Sequence, residues 1–375
     1  MSAYHIGIDL GTTNCVVAYT PSGGDTAEVR LLPIPQLVAP NTVEARTQLP
    51  SFLYLATVQE TAAGQWDLPW ASGRDFVVGE AARQRGAEAP ERTVVAAKSW
   101  LCHSRVDRRG PILPASAGDD VAKLSPVIAS QRYLEHLIAA WNAAFPDAPF
   151  AAQHITLTVP AGFDAGAREL TREAALAAGL PEDFTLLEEP QAAVYAWLAS
   201  VGDAWRKQLT PGDTLLVCDV GGGTTDLTLI GVESENGELA LRRLAVGPHL
   251  LVGGDNMDLA LAFHVAEKLR TEGTELDPWQ SISLWHACRA AKERLLRNDG
   301  PIEDNVTILS RGRRLIGGSK TVPLSRDDVA ALLLDGFFPQ CAWTINRPST
   351  APRAFKNSVY PTSPTPASRA TWRRS

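Results

Sequence analysis

The chain is poor in cysteine, short of positive charge and without any long hydrophobic run, and each shortage narrows what it can be. Its five cysteines (Cys15, Cys102, Cys218, Cys288, Cys341) form no CxxC pair and keep no regular spacing. That excludes a disulfide framework legible from spacing and predicts reduced, buried thiols in a cytoplasm. Thirty-five lysines and arginines face 42 aspartates and glutamates, a formal net charge of -7. A nucleic-acid groove needs a basic surface, so nucleic acid is not expected as a partner. No stretch approaches the roughly 18 apolar residues of a membrane helix. The opening MSAYHIGIDL lacks a basic segment followed by an apolar one, so no secretory signal is visible. What is present is ordinary for a soluble protein: 45% hydrophobic and 21% charged residues over a 375-residue chain, enough for two packed lobes or one large domain with insertions.

The organisation follows from periodicity. Residues 4–20 predict a strand (YHIGID), a glycine-threonine turn (LGTTN) and a returning strand (CVVAYT), with Gly11 supplying the tight bend. Residues 21–90 are rich in Pro, Gly and Thr with short strands such as PSFLYLA, and residues 121–145 carry apolar residues at helical spacing. HITLTVP then predicts a strand, AGARELTREAALAAGL a helix, and FTLLEEPQAAVYAWLAS a strand running into a helix. At 214–230 the opening device returns as TLLVCDVGGGTTDLTLI, roughly two hundred residues downstream. Strands alternating with helices predict an α/β fold, and the doubled hairpin predicts two lobes facing one cleft.

The chemistry sits in those two turns. A nucleoside triphosphate carries several negative charges, and backbone N–H groups of a glycine turn approach it closely because no Cβ intervenes. Threonine hydroxyls add donors, and a carboxylate ending the preceding strand can hold Mg²⁺ through water. Asp9-Leu10-Gly11-Thr12-Thr13 and Asp219-Val220-Gly221-Gly222-Gly223-Thr224-Thr225-Asp226 both meet this description. Neither is a Walker A loop, since no GxxxxGK[ST] is present, and neither is a Rossmann turn, since a strand follows each. Either turn alone fits many proteins; the pair in this order is specific.

The pair resembles the phosphate-1 and phosphate-2 signature of the actin, sugar-kinase and heat-shock-70 superfamily. With VGEAAR (Val78 to Arg83), TVPAGFDAGAR (Thr158 to Arg168) and EEPQAAVYAW (Glu188 to Trp197), the likeness narrows to DnaK-type heat-shock-70 chaperones, from about residue 4 to about 340. The resemblance implies an α/β actin-like (ribonuclease-H-like) ATPase fold: lobe I over residues 1–200, an incomplete lobe II over 201–341, and a tail, 342–375. It implies ATP or ADP and Mg²⁺ as ligands and a nucleotide-switch role in protein folding. The partners it implies are a J-domain co-chaperone, a nucleotide-exchange factor and, in a full-length form, unfolded polypeptide. The competing readings are a small-molecule kinase of the same superfamily and a non-enzymatic actin-like scaffold.

Carried over by position, Asp9, Asp219 and Glu189 become the magnesium-side carboxylates, acting mostly through water. Gly11, Thr12 and Thr13 contact phosphates, Gly221, Gly222, Gly223 and Thr224 cradle the β- and γ-phosphates, and Asp226 supports that turn. Lys98, in VVAAKSWL, matches the lysine that neutralises the γ-phosphate and orients water; the lesser alternative from sequence is a solvated surface lysine. Gly253 and Gly254, followed by Asp255, match a turn near the phosphates at a helix N-terminus. Pro160 and Arg168 match a relay to a partner domain, while Pro160 reads equally well as a strand terminator. In the family's adenosine-clamping helix, here CRAAKERLL, Lys292 is kept, but Arg289, Glu293 and Leu296 occupy the other positions, so a relaxed base preference is expected. LIGGSK (Leu315 to Lys320) looks like the family's adenosine motif but precedes the helix it should follow, and reads as a hairpin turn.

From about Ala342 the chain turns to Pro, Ser, Thr, Arg and Ala without periodicity, and predicts disorder. Shifted back one nucleotide from Ala354 onward, synonymous codons permit GLQEFGVPYVSDPRITRHLAA, similar to the continuation of large bacterial DnaK-like proteins. A frameshift near residue 342 that truncates a longer protein is therefore expected. With it go bare apolar surface on lobe II and weak or absent ATP binding.

Overall fold

The computed structural model describes residues 2–23, 28–103, 105–119, 121–235, 237–248, 250, 252–308 and 319–338. The expected tail and the glycines of LIGGSK lie outside them. Contacts divide the chain into two compact units, residues 1–254 and 255–375.

The first unit is organised by strand alternation. In Tyr4–Leu10, Ile6, Ile8 and Leu10 are buried on one face. The chain returns antiparallel as Asn14–Pro21, with Leu10 opposite Cys15 and Asp9 opposite Val16. His154–Val159 pairs parallel with Tyr4–Leu10, and Thr185–Glu188 pairs parallel with His154–Val159. Arg30–Leu31 and Leu49–Pro50 complete the six-stranded sheet. Three parallel strands bring their carboxyl ends to one edge, where Asp9, Pro160 and Glu188-Glu189 emerge.

Parallel neighbours need helical crossovers, and the helices start where capping chemistry predicts. Ser125 accepts from the Ile128 N–H to open Pro126–Ala144, with proline at the first helical position. Asp164 accepts from Ala167 N to open Ala165–Ala178, which ends on Gly179 at φ 103°. The two helices pack through Val127, Leu170 and Ala174 against Leu101. Beneath the first helix, Trp141 and Phe145 meet Tyr4 and Tyr19 with ring centroids 4.3–5.9 Å apart. The Pro-, Gly- and Thr-rich stretch forms the hairpin Ile34–Ala39/Thr42–Arg46 and a sheet in which Leu53–Leu55 lies between Phe76–Val78 and Thr93–Val94. Its core is Leu37, Phe52, Tyr54, Trp66 and Val77.

The second hairpin, Thr214–Val220 and Thr225–Glu235, extends into Glu238–Val246 as an antiparallel meander. One face buries Asp226, Thr228 and Ile230; the other leaves Leu216, Cys218 and Val220 exposed. The expectation of uniformly buried thiols is thereby corrected. Cys15 and Cys288 are buried, Cys102 is half-buried, and Cys218 falls on the open face because strand alternation puts it in phase with Leu216 and Val220.

The second unit contains the helices Pro278–Leu295 and Arg326–Phe337 and the body of Gly254–Thr271, packed on the antiparallel strands Glu303–Ile308 and Lys320–Ser325. Leu261, Val265, Leu284, Cys288, Ala291 and Val306 are central to its core.

His136, on the buried face of Pro126–Ala144, carries a pH dependence. Its Nε2 lies 2.9 Å from the Pro35 carbonyl, to which it donates, and Nδ1 has no partner. Burial, helped by the Arg74 charge, pushes its pKa down to about 3. Below the ordinary value near 6.5 the unfolded chain binds a proton that the folded chain refuses, so stability falls as pH drops. Between pH 7.5 and 5.5 the loss is about 1 kcal/mol from this residue. Thermal unfolding at the two pH values checks it: His136→Gln should flatten the difference, and an unchanged slope rejects the assignment.

Candidate functional site

The first turn is built from below. Ser51 donates its hydroxyl to the Gly11 carbonyl at 2.7 Å, and its own N–H reaches the Thr13 carbonyl at 2.8 Å. Behind it the Cys15 thiol sits 3.3 Å from the same hydroxyl, and burial pushes that thiol up to about 12, so it stays neutral. A Cβ at Gly11 would fall 2.2 Å from the Asn14 carbonyl oxygen, so the turn closes only around glycine.

The second turn is closed by Gly221 N–H to Thr224 O at 2.8 Å and braced by Gly254 N–H to Gly221 O at 3.1 Å. Thr225 donates its hydroxyl to the Val252 carbonyl at 2.8 Å. A Cβ at Gly253 would fall 2.5 Å from the Gly221 oxygen and 2.6 Å from the Gly222 oxygen, so the Gly253-Gly254 segment lies directly on the turn.

The two turns face each other. A Cβ at Gly222 would lie 1.8 Å from Thr13 Oγ1, and one at Gly223 would lie 2.5 Å from Ser99 Oγ and 3.0 Å from Thr12 Cγ2. The whole apposition falls within the first unit.

Lys98 arrives on the short helix Ala97–Leu101, preceded by Ala96 in a left-handed conformation (φ 53°). That conformation costs an alanine about 1 kcal/mol, strain of the kind that gathers at functional positions. Lys98 is buried, and its Nζ stands 2.5 Å from Glu189 Oε1. Glu189 opens the helix Glu189–Val201 with Pro190 behind it, so its carboxylate is fixed at the helix N-terminus. Burial opposes the Lys98 charge, but Glu189 and Asp9 outweigh burial and raise its pKa. Burial raises Glu189, with Asp9 and Asp219 adding to it against Lys98. Burial also raises Asp219, followed by the charge of Asp226, its cross-strand partner. One lysine among these carboxylates leaves excess negative charge, an environment that attracts a further cation.

Asp9, Gly11, Thr12, Thr13, Lys98, Glu189, Asp219, Gly221, Gly222, Gly223, Thr224, Asp226, Gly253 and Gly254 therefore all belong to the first unit. Lys292 belongs to the second, where its Nζ lies 2.5 Å from Asp258. Asp258 also receives Arg289 Nε at 2.7 Å, and Arg289 reaches Asp255 with its other arm. Burial raises Asp258 to about 6, partly offset by Lys292. Sequence reasoning missed Ser51 and Ser99. Ser51 carries no signal beyond following a proline, whereas Ser99 could have been suspected as the neighbour of Lys98. Among the described residues no three His, Cys, Asp or Glu side chains are grouped to hold a metal ion directly, and no helix is long and apolar enough to cross a membrane.

The family model for the Hsp70 protein matches residues 70–308. A chaperone protein HscA homolog of Pseudomonas aeruginosa is 31% identical over 303 residues, covering 77% of this chain and 42% of the relative. One from Methylococcus capsulatus is 30% identical over 338 residues, covering 87% and 46%, and one from Acinetobacter baumannii is 27% identical over 307, covering 78% and 42%. The chain spans about two fifths of the length of these curated relatives.

Proposed function

Because the chain belongs to the Hsp70 family, we propose that its two facing turns bind the phosphates of ATP or ADP with Mg²⁺, and that it is the nucleotide-switch ATPase domain of a DnaK-like chaperone acting in protein folding. The observation that carries the reading is the apposition of Gly222 and Gly223 with Thr13, Thr12 and Ser99 beside the Lys98–Glu189 pair. The residues fit the ligands. Glycines let the second turn come up against Thr13 and Ser99 where a Cβ would clash, and the surplus of carboxylates calls for a cation.

In this reading Asp9, Asp219 and Glu189 would hold Mg²⁺ mostly through water. Magnesium supplies charge that offsets the phosphate oxygens. Gly11, Thr12 and Thr13 on one side contact phosphates, Gly221 to Thr224 on the other cradle them, and Asp226 supports the second turn. Gly253 and Gly254 hold that turn from behind, while Lys98 supplies the positive charge at the terminal phosphate and Glu189 fixes Lys98 and a water. Lys292 is assigned to the adenosine side. Its engagement with Asp258, and that of Arg289 with both aspartates, supports weak selection of the base. Catalysis is mostly positioning and charge stabilisation, so turnover is slow. Lobe I over 1–200 and lobe II over 201–341, a J-domain co-chaperone, an exchange factor, polypeptide binding by a longer form and a cytoplasmic setting complete the proposal. Family membership favours it over the kinase and scaffold readings.

Calorimetry at millimolar MgATP and MgADP, with phosphate release measured with and without a J-domain protein, tests it. Binding and slow, magnesium-dependent release are expected; no heat and no release above the EDTA control would overturn the reading.

A further inference from the structure

Glu188 ends the strand Thr185–Glu188 and is the residue directly before Glu189. It occupies the N-cap position of the helix Glu189–Val201, where a carboxylate could accept from the helix's own first N–H groups. It makes no such cap bond. Its two oxygens go instead to two arginines from different elements. Arg168, on the helix Ala165–Ala178, donates from Nη2 to Oε1 at 2.8 Å. Arg243, on the strand Glu238–Val246, donates from Nη1 to Oε2. Arg168 is itself held by the carbonyls of Phe163 at 3.3 Å and Ala161 at 3.5 Å. Arg243 stands opposite Ile230 in the sheet whose second strand also carries Asp226.

The Glu188 side chain is only 16% exposed, against 30% for Arg168 and 45% for Arg243. A carboxylate with each oxygen committed to a guanidinium cannot turn about its terminal bonds, and charge-assisted bonds to a mostly buried acceptor are the stronger kind. The bridge therefore ties three things together: the carboxyl end of the six-stranded sheet, the helix laid on it, and the third strand of the meander. The peptide joining Glu188 to Glu189 is where they meet. Without a side-chain cap, the first turn of the helix takes its orientation from this bridge, and with it the carboxylate that stands 2.5 Å from Lys98.

We propose that Arg243 is a positioning residue: through Glu188 it fixes the start of the helix, and so holds Glu189 against Lys98 and the meander against the end of Thr185–Glu188. Among the described residues the Arg243 guanidinium pairs with Glu188, and it acts through that carboxylate. Its effect on turnover rests on the nucleotide reading above; its effect on local order does not.

The test compares Arg243→Ala, Glu188→Gln, the double variant and Arg243→Lys. At saturating MgATP each single change should lower kcat about 5- to 20-fold with KM within about twofold, since misplacing a reacting group by a fraction of an ångström is enough for such losses. The double variant should be no slower than the slower single one, because the two residues act as one unit, and Arg243→Lys should restore most of the rate. In the nucleotide-free protein, amides over residues 185–195 should exchange with solvent faster in Arg243→Ala and Glu188→Gln than in the unchanged chain. Unchanged exchange in that segment, or losses that multiply in the double variant, overturns the proposal. If the unchanged protein hydrolyses no ATP, the nucleotide reading fails by itself, and the exchange measurement alone decides the role of Arg243.

Discussion

Lys98→Met is expected to lower magnesium-dependent ATP turnover about 100- to 1,000-fold, the usual loss when one preorganised charge donor is removed from a reacting centre. The side chain is buried, sits 2.5 Å from Glu189 and lies in the field of Asp9. Methionine keeps the length and loses the charge. The same change strands the buried Glu189 carboxylate, and breaking a buried pair from one side costs about 3–5 kcal/mol. A slow enzyme could then be merely an unfolded one. Lys98→Met/Glu189→Gln separates the two causes, because it leaves no unpaired buried charge. Its thermal midpoint should recover most of the way to that of the unchanged protein while phosphate release stays at the level of the single variant. Recovery of turnover along with stability would show that Lys98 serves the fold and not the chemistry.

Gly253→Ala is expected to weaken MgATP and MgADP binding at least about tenfold and to destabilise the first unit by about 1–3 kcal/mol. The added Cβ meets the carbonyl oxygens of Gly221 at 2.5 Å and Gly222 at 2.6 Å, with the Gly222 carbon at 2.8 Å. These are backbone atoms of the turn that faces Thr13, so the clash cannot be relieved by a side-chain rotation, and the turn itself must move. Gly7→Ala is the control. Nothing lies within 4 Å of a Cβ there, and alanine in a strand gives up less conformational entropy than glycine, so stability should be unchanged or slightly higher. Calorimetric titration with nucleotide and urea unfolding of both variants check the pair. Equal binding by Gly253→Ala and the unchanged chain would remove the second turn from the site.

Both hairpins were legible because each writes its geometry in a few adjacent residues. Ile6, Ile8 and Leu10 alternate, Gly11 is the residue that closing the turn permits, and Asn14–Pro21 repeats the alternation on the way back. The same signals mark Thr214–Val220 and Thr225–Glu235. The helices at 126–144 and 165–178 were readable for the same reason, being periodic and opened by Ser125 and Asp164. The stretch over 21–90 was readable only as short strands, since Leu53–Leu55 is three residues long and gains its two partners, Phe76–Val78 and Thr93–Val94, from places no local pattern connects. Cys218 was misread because a strand with one open face looks, residue by residue, like one covered on both.

The amino-acid sequence by itself determined where the two glycine turns fall, since glycine's missing Cβ and a strand's two-residue period are properties of the local chain. It also settled the family, through motifs that stay close together in sequence. Only the tertiary structure decided that Gly222 stands against Thr13, that Lys98 is buried on Glu189, that Ser51 supports Gly11, and that Glu188 is shared by Arg168 and Arg243. Those pairings span 20 to more than 200 residues of chain. They exist because sheet pairing and burial bring distant carboxylates, guanidiniums and hydroxyls within reach, and no local periodicity encodes a distance across the fold.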